Sequence, residues 1–171
     1  MKFEELQEKI GAQNAADWHQ HSNGNGWVHK DAKVDKSAFV GENAIVFSGT
    51  VYGDALVSGD ARVSGNAQVF GNAQVFRNAL VFGNAQVFGN AQVFGNALVY
   101  GDAWVKSPLF IIGSKHSLTN AKHGHIQIGC KCETFDWWLE NGKSFAEEKG
   151  YTPGEIAEYT ELVNLFVKIG K

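Results

Sequence analysis

The apolar residues fall into three patterns along the chain. At the start, Phe3, Leu6 and Ile10 recur at intervals of three and four among Glu and Lys. That spacing predicts an amphipathic helix within residues 1–16, with Gly11 as a stop signal. The next stretch, "DWHQHSNGNGW" (17–27), is polar and rich in turn formers, and it reads as a loop. From 30 to 106 the pattern changes to alternation inside a six-residue period, Gly-Asn/Asp-Ala-x-Val-x. Ala and Val two apart share one face of a short strand, and Gly-Asn or Gly-Asp supplies a corner.

The register is clean for nine units from Gly53 to Lys106. Before it lie four looser units, one of which, "SGTVY" (48–52), has five residues where six are expected. Three units make a triangular coil of 18 residues. This pattern resembles the hexapeptide-repeat family. The resemblance implies a left-handed parallel β-helix of about four coils, with Ala and Val filling a narrow prism. At roughly 4.8 Å per coil such a stack stands about 20 Å tall, and its ends need caps or partners.

Residues 107–171 follow neither pattern. Pro108 breaks the repeat. "LFIIG" (109–113) and "HIQIGCKC" (125–132) read as two strands of a hairpin joined by a polar loop. "TFDWWLENG" (134–142) reads as a short helix stopped by Gly142. "TPGE" (152–155) is a capping-box start for a last helix carrying Ile156, Tyr159, Leu162, Val163, Phe166 and Val167. The expected organisation is therefore an N-terminal helix and loop (1–29), a β-solenoid (30–106) and a small α+β tail (107–171) that caps the solenoid or packs along one side.

Composition narrows the function. A formal net charge of −3 argues against general nucleic-acid binding. No charged-then-apolar leader and no apolar run long enough for a membrane helix is visible, which leaves the cytoplasm as the expected compartment. Cys130 and Cys132 are separated by one residue on an extended stretch, so a disulfide between them is not expected.

With 18 residues per coil, every third unit shares an outer face. The first face carries Leu56, Gln74 and Gln92, the second Arg62, Leu80 and Leu98, and the third Gln68, Gln86 and Trp104. The second is the apolar one, and Ile45 is a candidate to join it. Either the C-terminal helix or another subunit would have to cover it. The sixth places stack Phe70 on Phe88, Phe76 on Phe94 and Phe82 on Tyr100, giving aromatic ladders. Leu80, Leu98, Phe82 and Tyr100 form the expected packing or oligomer face.

Enzymes of the hexapeptide-repeat family are acyltransferases with a His base or carbonic anhydrases with three His on zinc. This chain has no His between Lys30 and Lys115 and no insertion from 53 to 106. No catalytic residue and no cofactor are therefore assigned. "HGHIQIGCKC" has the composition of a zinc site, but strand parity puts His123 and His125 opposite Cys130 and Cys132, which share the side of Ile126 and Ile128. The cysteines then read as buried structural thiols, and no metal is assigned. A bulge at Gly124 or Gly129 is the one route that would bring the four together.

"GNGWVHKDAKV" (24–34), the uninterrupted repeat and "FIIGS…IQIGCKCETFDWW…YTELVNLF" together resemble a group of small hexapeptide-repeat proteins of phage and prophage genomes. That resemblance implies a cytoplasmic homo-oligomer, a trimer favoured, that acts on host machinery. The first expectation is a non-catalytic binding protein that sequesters a small polar, nucleotide-derived host immune signal at subunit junctions. Trp18, His19, His21, Trp27 and Trp138 are the candidate ligand residues. The alternatives are a structural or protein-binding scaffold, such as a phage assembly factor, and an acyl-CoA-dependent acyltransferase.

Overall fold

The structure is a computed structural model and describes residues 1–104 and 106–170. Val105, expected on the inward side of the last unit, lies outside the described residues. The chain divides into two compact units. One is Met1–Asn96 with Tyr100–Ser107, the other Ala97–Val99 with Pro108–Lys171.

The first unit is a β-solenoid of about four turns. Each turn contributes one short strand to each of three sheets whose solenoid strands run parallel, and an antiparallel strand, 18–20, joins one of them at its edge. One sheet stacks 32–34, 49–51, 68–69, 86–87 and 103–104, and another stacks 39–40, 56–57, 74–75 and 92–93. The third runs 18–20, 27–29, 45–46, 62–63 and 80–82, and its remaining strand, Leu98–Tyr100, straddles the division between the units. Backbone bonds link the turns, as from Gln74 N–H to the Ala91 carbonyl at 2.9 Å. The alternation works as expected: Ala55, Val57, Ala61, Val63 and their successors to Val93 are fully buried.

The five-residue unit sets a local register of 17. Val34 lies on Val51 and Val40 on Val57, whereas Val57 lies on Val75. Gly49 makes the short corner possible. Its φ is +87°, and a Cβ there would stand 2.4 Å from the Ala67 carbonyl oxygen. Only glycine satisfies both conditions.

The last unit departs from the expected register. Ala103 pairs with Gln86, and Trp104 pairs with Val87. Trp104 is therefore buried, at 2% exposure, and does not belong to the outer third face. Gly101 and Asp102 are both left-handed, at φ of 71° and 60°, whereas a regular corner has a single such residue. This corner moves the strand by one place, and a one-residue slip exchanges inside for outside. An indole then fills the last turn where valine would follow.

The amino-terminal segment is shorter and more ordered than its pattern implied. The helix α1 spans Phe3–Ile10 and stops at Gly11. The expected loop contains a strand, Trp18–Gln20, paired antiparallel with Trp27–His29. Ile45 does lie in register with Arg62 on the second face. It is covered, however, by neither of the two expected partners: Leu6 of α1, Met1 and Trp18 bury it.

The second unit holds a four-stranded antiparallel sheet and two helices. The strands are Phe110–Ile112, Ser117–Lys122, His125–Ile128 and Lys131–Thr134. The expected two-strand hairpin missed Ser117–Lys122, a polar-looking segment whose Leu118, Thr119, Asn120 and Ala121 are all buried. Asn120 is satisfied there by the carbonyls of Lys122 and His125. The helix α2 spans Phe135–Glu148 and α3 spans Pro153–Ile169. Gly142 does not stop α2 but sits inside it, because packing overrides a propensity cost of about 1 kcal/mol. Leu118, Ile126, Trp138, Val163 and Phe166 form the core of this unit.

Candidate functional site

The loop chosen from the sequence is built into the solenoid. Trp18 is buried, at 7% exposure, edge-on to His29 and Phe47. Its indole N–H has no hydrogen-bond acceptor. His21 is buried and its Nδ1 meets the backbone of Asn23. The Asn23 amide in turn donates to the carbonyls of Ser37 and Ala38. Trp27 is half-buried, donates to the Met1 carbonyl at 3.1 Å and packs edge-on against Phe3. His19 alone is exposed. These residues anchor the first turn and α1. Trp138 belongs to the core of the other unit, where its indole donates to the Ile126 carbonyl at 2.8 Å.

Leu80 and Leu98 are half-buried, and Phe82 stacks on Tyr100 with ring centres 5.2 Å apart. Phe70 stacks on Phe88 at 4.9 Å and Phe76 on Phe94 at 5.5 Å. Tyr52 extends the first ladder, 4.8 Å from Phe70. A second kind of ladder went unpredicted. The Asn residues of successive turns bond amide to amide, Asn66 to Asn84, Asn72 to Asn90 and Asn78 to Asn96. The 18-residue spacing of the second place in each unit was the signal for it.

The cysteine strand is not continuous. Gly129 is left-handed, at φ 56°, and Gly129–Cys130 forms a turn between two strands. Cys130 is exposed and Cys132 half-buried, so neither is a core thiol. Parity counting fails because it assumes one uninterrupted strand. His123 is exposed, and His125 bonds through Nδ1 to the His123 carbonyl. Among the described residues no group of three or more His, Cys, Asp or Glu is placed to hold a metal.

A feature with room for chemistry and an apolar floor lies inside the second unit. A cavity of about 520 Å³ opens between α2, α3 and the turns of the sheet. Its volume is within the usual range of small-molecule sites. The floor is apolar, made by Ile128, Trp138 and Val163. Gly142 and Ala146 of α2 face it, and a Cβ on Gly142 would meet only Trp138, at 3.4 Å. The helix therefore offers its smallest side chains where the cavity lies.

Four lysines line the opening, Lys115, Lys131, Lys143 and Lys149, and no Asp or Glu lines it with them. Lys115 sits 4.1 Å over the Tyr151 ring, Lys131 4.6 Å over Trp137 and Lys149 5.4 Å from Phe145. Lys131 pairs with Glu133 at 2.6 Å, both half-buried, and Lys149 pairs with Glu148 at the surface, where such a pair holds weakly. Tyr159, also in the wall, accepts from the backbone N–H groups of Lys115 and His116 and donates to the His116 carbonyl at 2.7 Å. That latch fixes the hairpin bearing Lys115. The Tyr151 hydroxyl is pushed above its ordinary phenolic value, first by burial and then by neighbouring Tyr159, Glu155 and Cys130. It therefore keeps its proton at neutral pH and stays a donor.

Comparison with known proteins agrees with the solenoid. The YdcK beta solenoid repeat matches residues 50–65, 55–71 and 91–107. The chain is a β-solenoid repeat protein. No curated protein and no solved structure matches it. No helix among the described residues is long and apolar enough to cross a membrane.

Proposed function

We propose that this protein binds a small anionic molecule in the cavity between α2 and α3, and that the solenoid is the scaffold that carries the binding unit. The supporting observation is the combination of an apolar cavity of about 520 Å³ with a rim of four lysines. Hydrophobic floor and cationic rim complement a ligand with an apolar body and a negative group. The binding reading of the sequence is kept, while the site moves from subunit junctions to the interior of one unit. No turnover is assigned to it. Homo-oligomers, trimers first, form in this reading through the solenoid face of Arg62, Leu80 and Leu98.

Gly142→Leu tests the reading. The leucine side chain enters the cavity, and the substitution removes a mid-helix glycine. The expected outcome is a protein at least as stable to heat that no longer binds. A variant that melts normally and retains ligand affinity would place the site elsewhere.

A further inference from the structure

The cavity wall says which class of anion fits. Its two most buried polar groups are already committed. The Trp138 N–H is held by the Ile126 carbonyl, and the Tyr159 hydroxyl is held by the Lys115–His116 backbone. Neither is free to read the polar edge of a base or the hydroxyls of a sugar, and the remaining polar side chains of the lining lie away from the floor, His116, Thr160 and Asn164 exposed and Tyr151 half-buried. A nucleotide or a sugar placed on this floor would bury donors and acceptors without partners, at a cost of roughly 1–3 kcal/mol each. A hydrocarbon body has no such groups, and Ile128 and Val163 offer it contact.

The rim says where the charge goes. Lys143 has neither an ion pair nor a ring contact among the described residues, and it extends from the same helix stripe as Gly142 and Ala146. Lys131 and Lys149 both reach the Phe145 ring, at 6.0 and 5.4 Å. Three ammonium groups thus border the α2 side of the opening. Ammonium groups act as point charges and impose no planar, two-pronged geometry on the anion.

We infer that the ligand is an amphiphilic anion, a medium-length hydrocarbon chain ending in a single negative head, with the chain on the Ile128–Trp138–Val163 floor and the head at Lys131, Lys143 and Lys149. This rests on the cavity being the binding site proposed above. It goes beyond that reading by choosing a fatty-acid-like molecule over a nucleotide.

Calorimetric titration of the full chain with decanoate, decanol, decyltrimethylammonium and ADP separates the possibilities. Decanoate should bind about tenfold tighter than decanol, a difference of about 1.4 kcal/mol, and the cationic amphiphile should bind weakest. Lys131→Gln with Lys143→Gln should remove the preference for acid over alcohol while decanol still binds, and Gly142→Leu should abolish both. Equal affinity for decanoate and decanol would overturn the placement of the head and leave the cavity as a site. Tighter binding of ADP would overturn the amphiphile and leave the anion-binding function standing. Decanoate binding unchanged in the folded Gly142→Leu protein would overturn both, as would failure of all four to bind. Thermal melts of each variant show that it is folded.

Discussion

Arg77 stands where every other corner of the regular repeat, from Gly53 to Gly101, carries glycine. It adopts the same left-handed backbone, φ 63°, as its glycine counterparts Gly59 and Gly65, at 64° and 68°. For a residue with a Cβ that conformation costs roughly 1–2 kcal/mol, less what glycine loses in chain entropy on folding. Arg77→Gly should therefore stabilise the solenoid by about 1 kcal/mol, read as a higher denaturant midpoint with an unchanged slope. Asp102 meets the same demand with a side chain better suited to it, and it does so at the corner where the register slips. Gly142 shows the opposite relation. Nothing in its backbone requires glycine, so its small size is what the cavity uses.

At the scale of elements, α3 shows how a local signal becomes a stable start. Thr152 Oγ1 accepts from the Glu155 N–H, and the Glu155 carboxylate accepts from the Thr152 N–H at 2.7 Å. The backbone N–H of Thr152, then its hydroxyl, and then the charge of Lys115 hold the Glu155 carboxyl below the ordinary carboxylate value. A depressed folded-state value stabilises the protein above the ordinary value and loses that contribution as pH falls through the folded one. The stability gap between the parent and Glu155→Gln should accordingly be present at neutral pH and close below the carboxylate range, measured by urea titration across pH. Thr152→Ala should cost about 1 kcal/mol at neutral pH. The solenoid strands follow another rule. None exceeds three residues, and what holds each one is its neighbour in the adjacent turn, through backbone bonds, aromatic ladders and the Asn amide ladder.

For the whole molecule, the proposed oligomer is tested by Leu80→Asp together with Leu98→Asp. The expected outcome is a smaller particle by light scattering. A mass unchanged from that of the parent counts against this face. The sequence by itself determined the solenoid, its corner positions, its Ala/Val interior, the aromatic ladders and the cap of α3. These depend on neighbours within one unit or on a fixed spacing of 18, and a period is visible without coordinates. Only the tertiary structure decided the inward turn of Trp104, the burial of Ile45 under α1, the Ser117–Lys122 strand and the cavity. A one-residue slip leaves the spelling of the repeat untouched while reversing its faces. Thr119 and Asn120 look like loop residues until the sheet buries them, with the Asn120 amide held by the carbonyls of Lys122 and His125 across the turn. The cavity gathers Lys115 and Tyr159, 44 positions apart and joined through a backbone bond, with a glycine and an alanine of another helix. No periodicity links such residues, because an empty space is defined by what several elements leave unfilled.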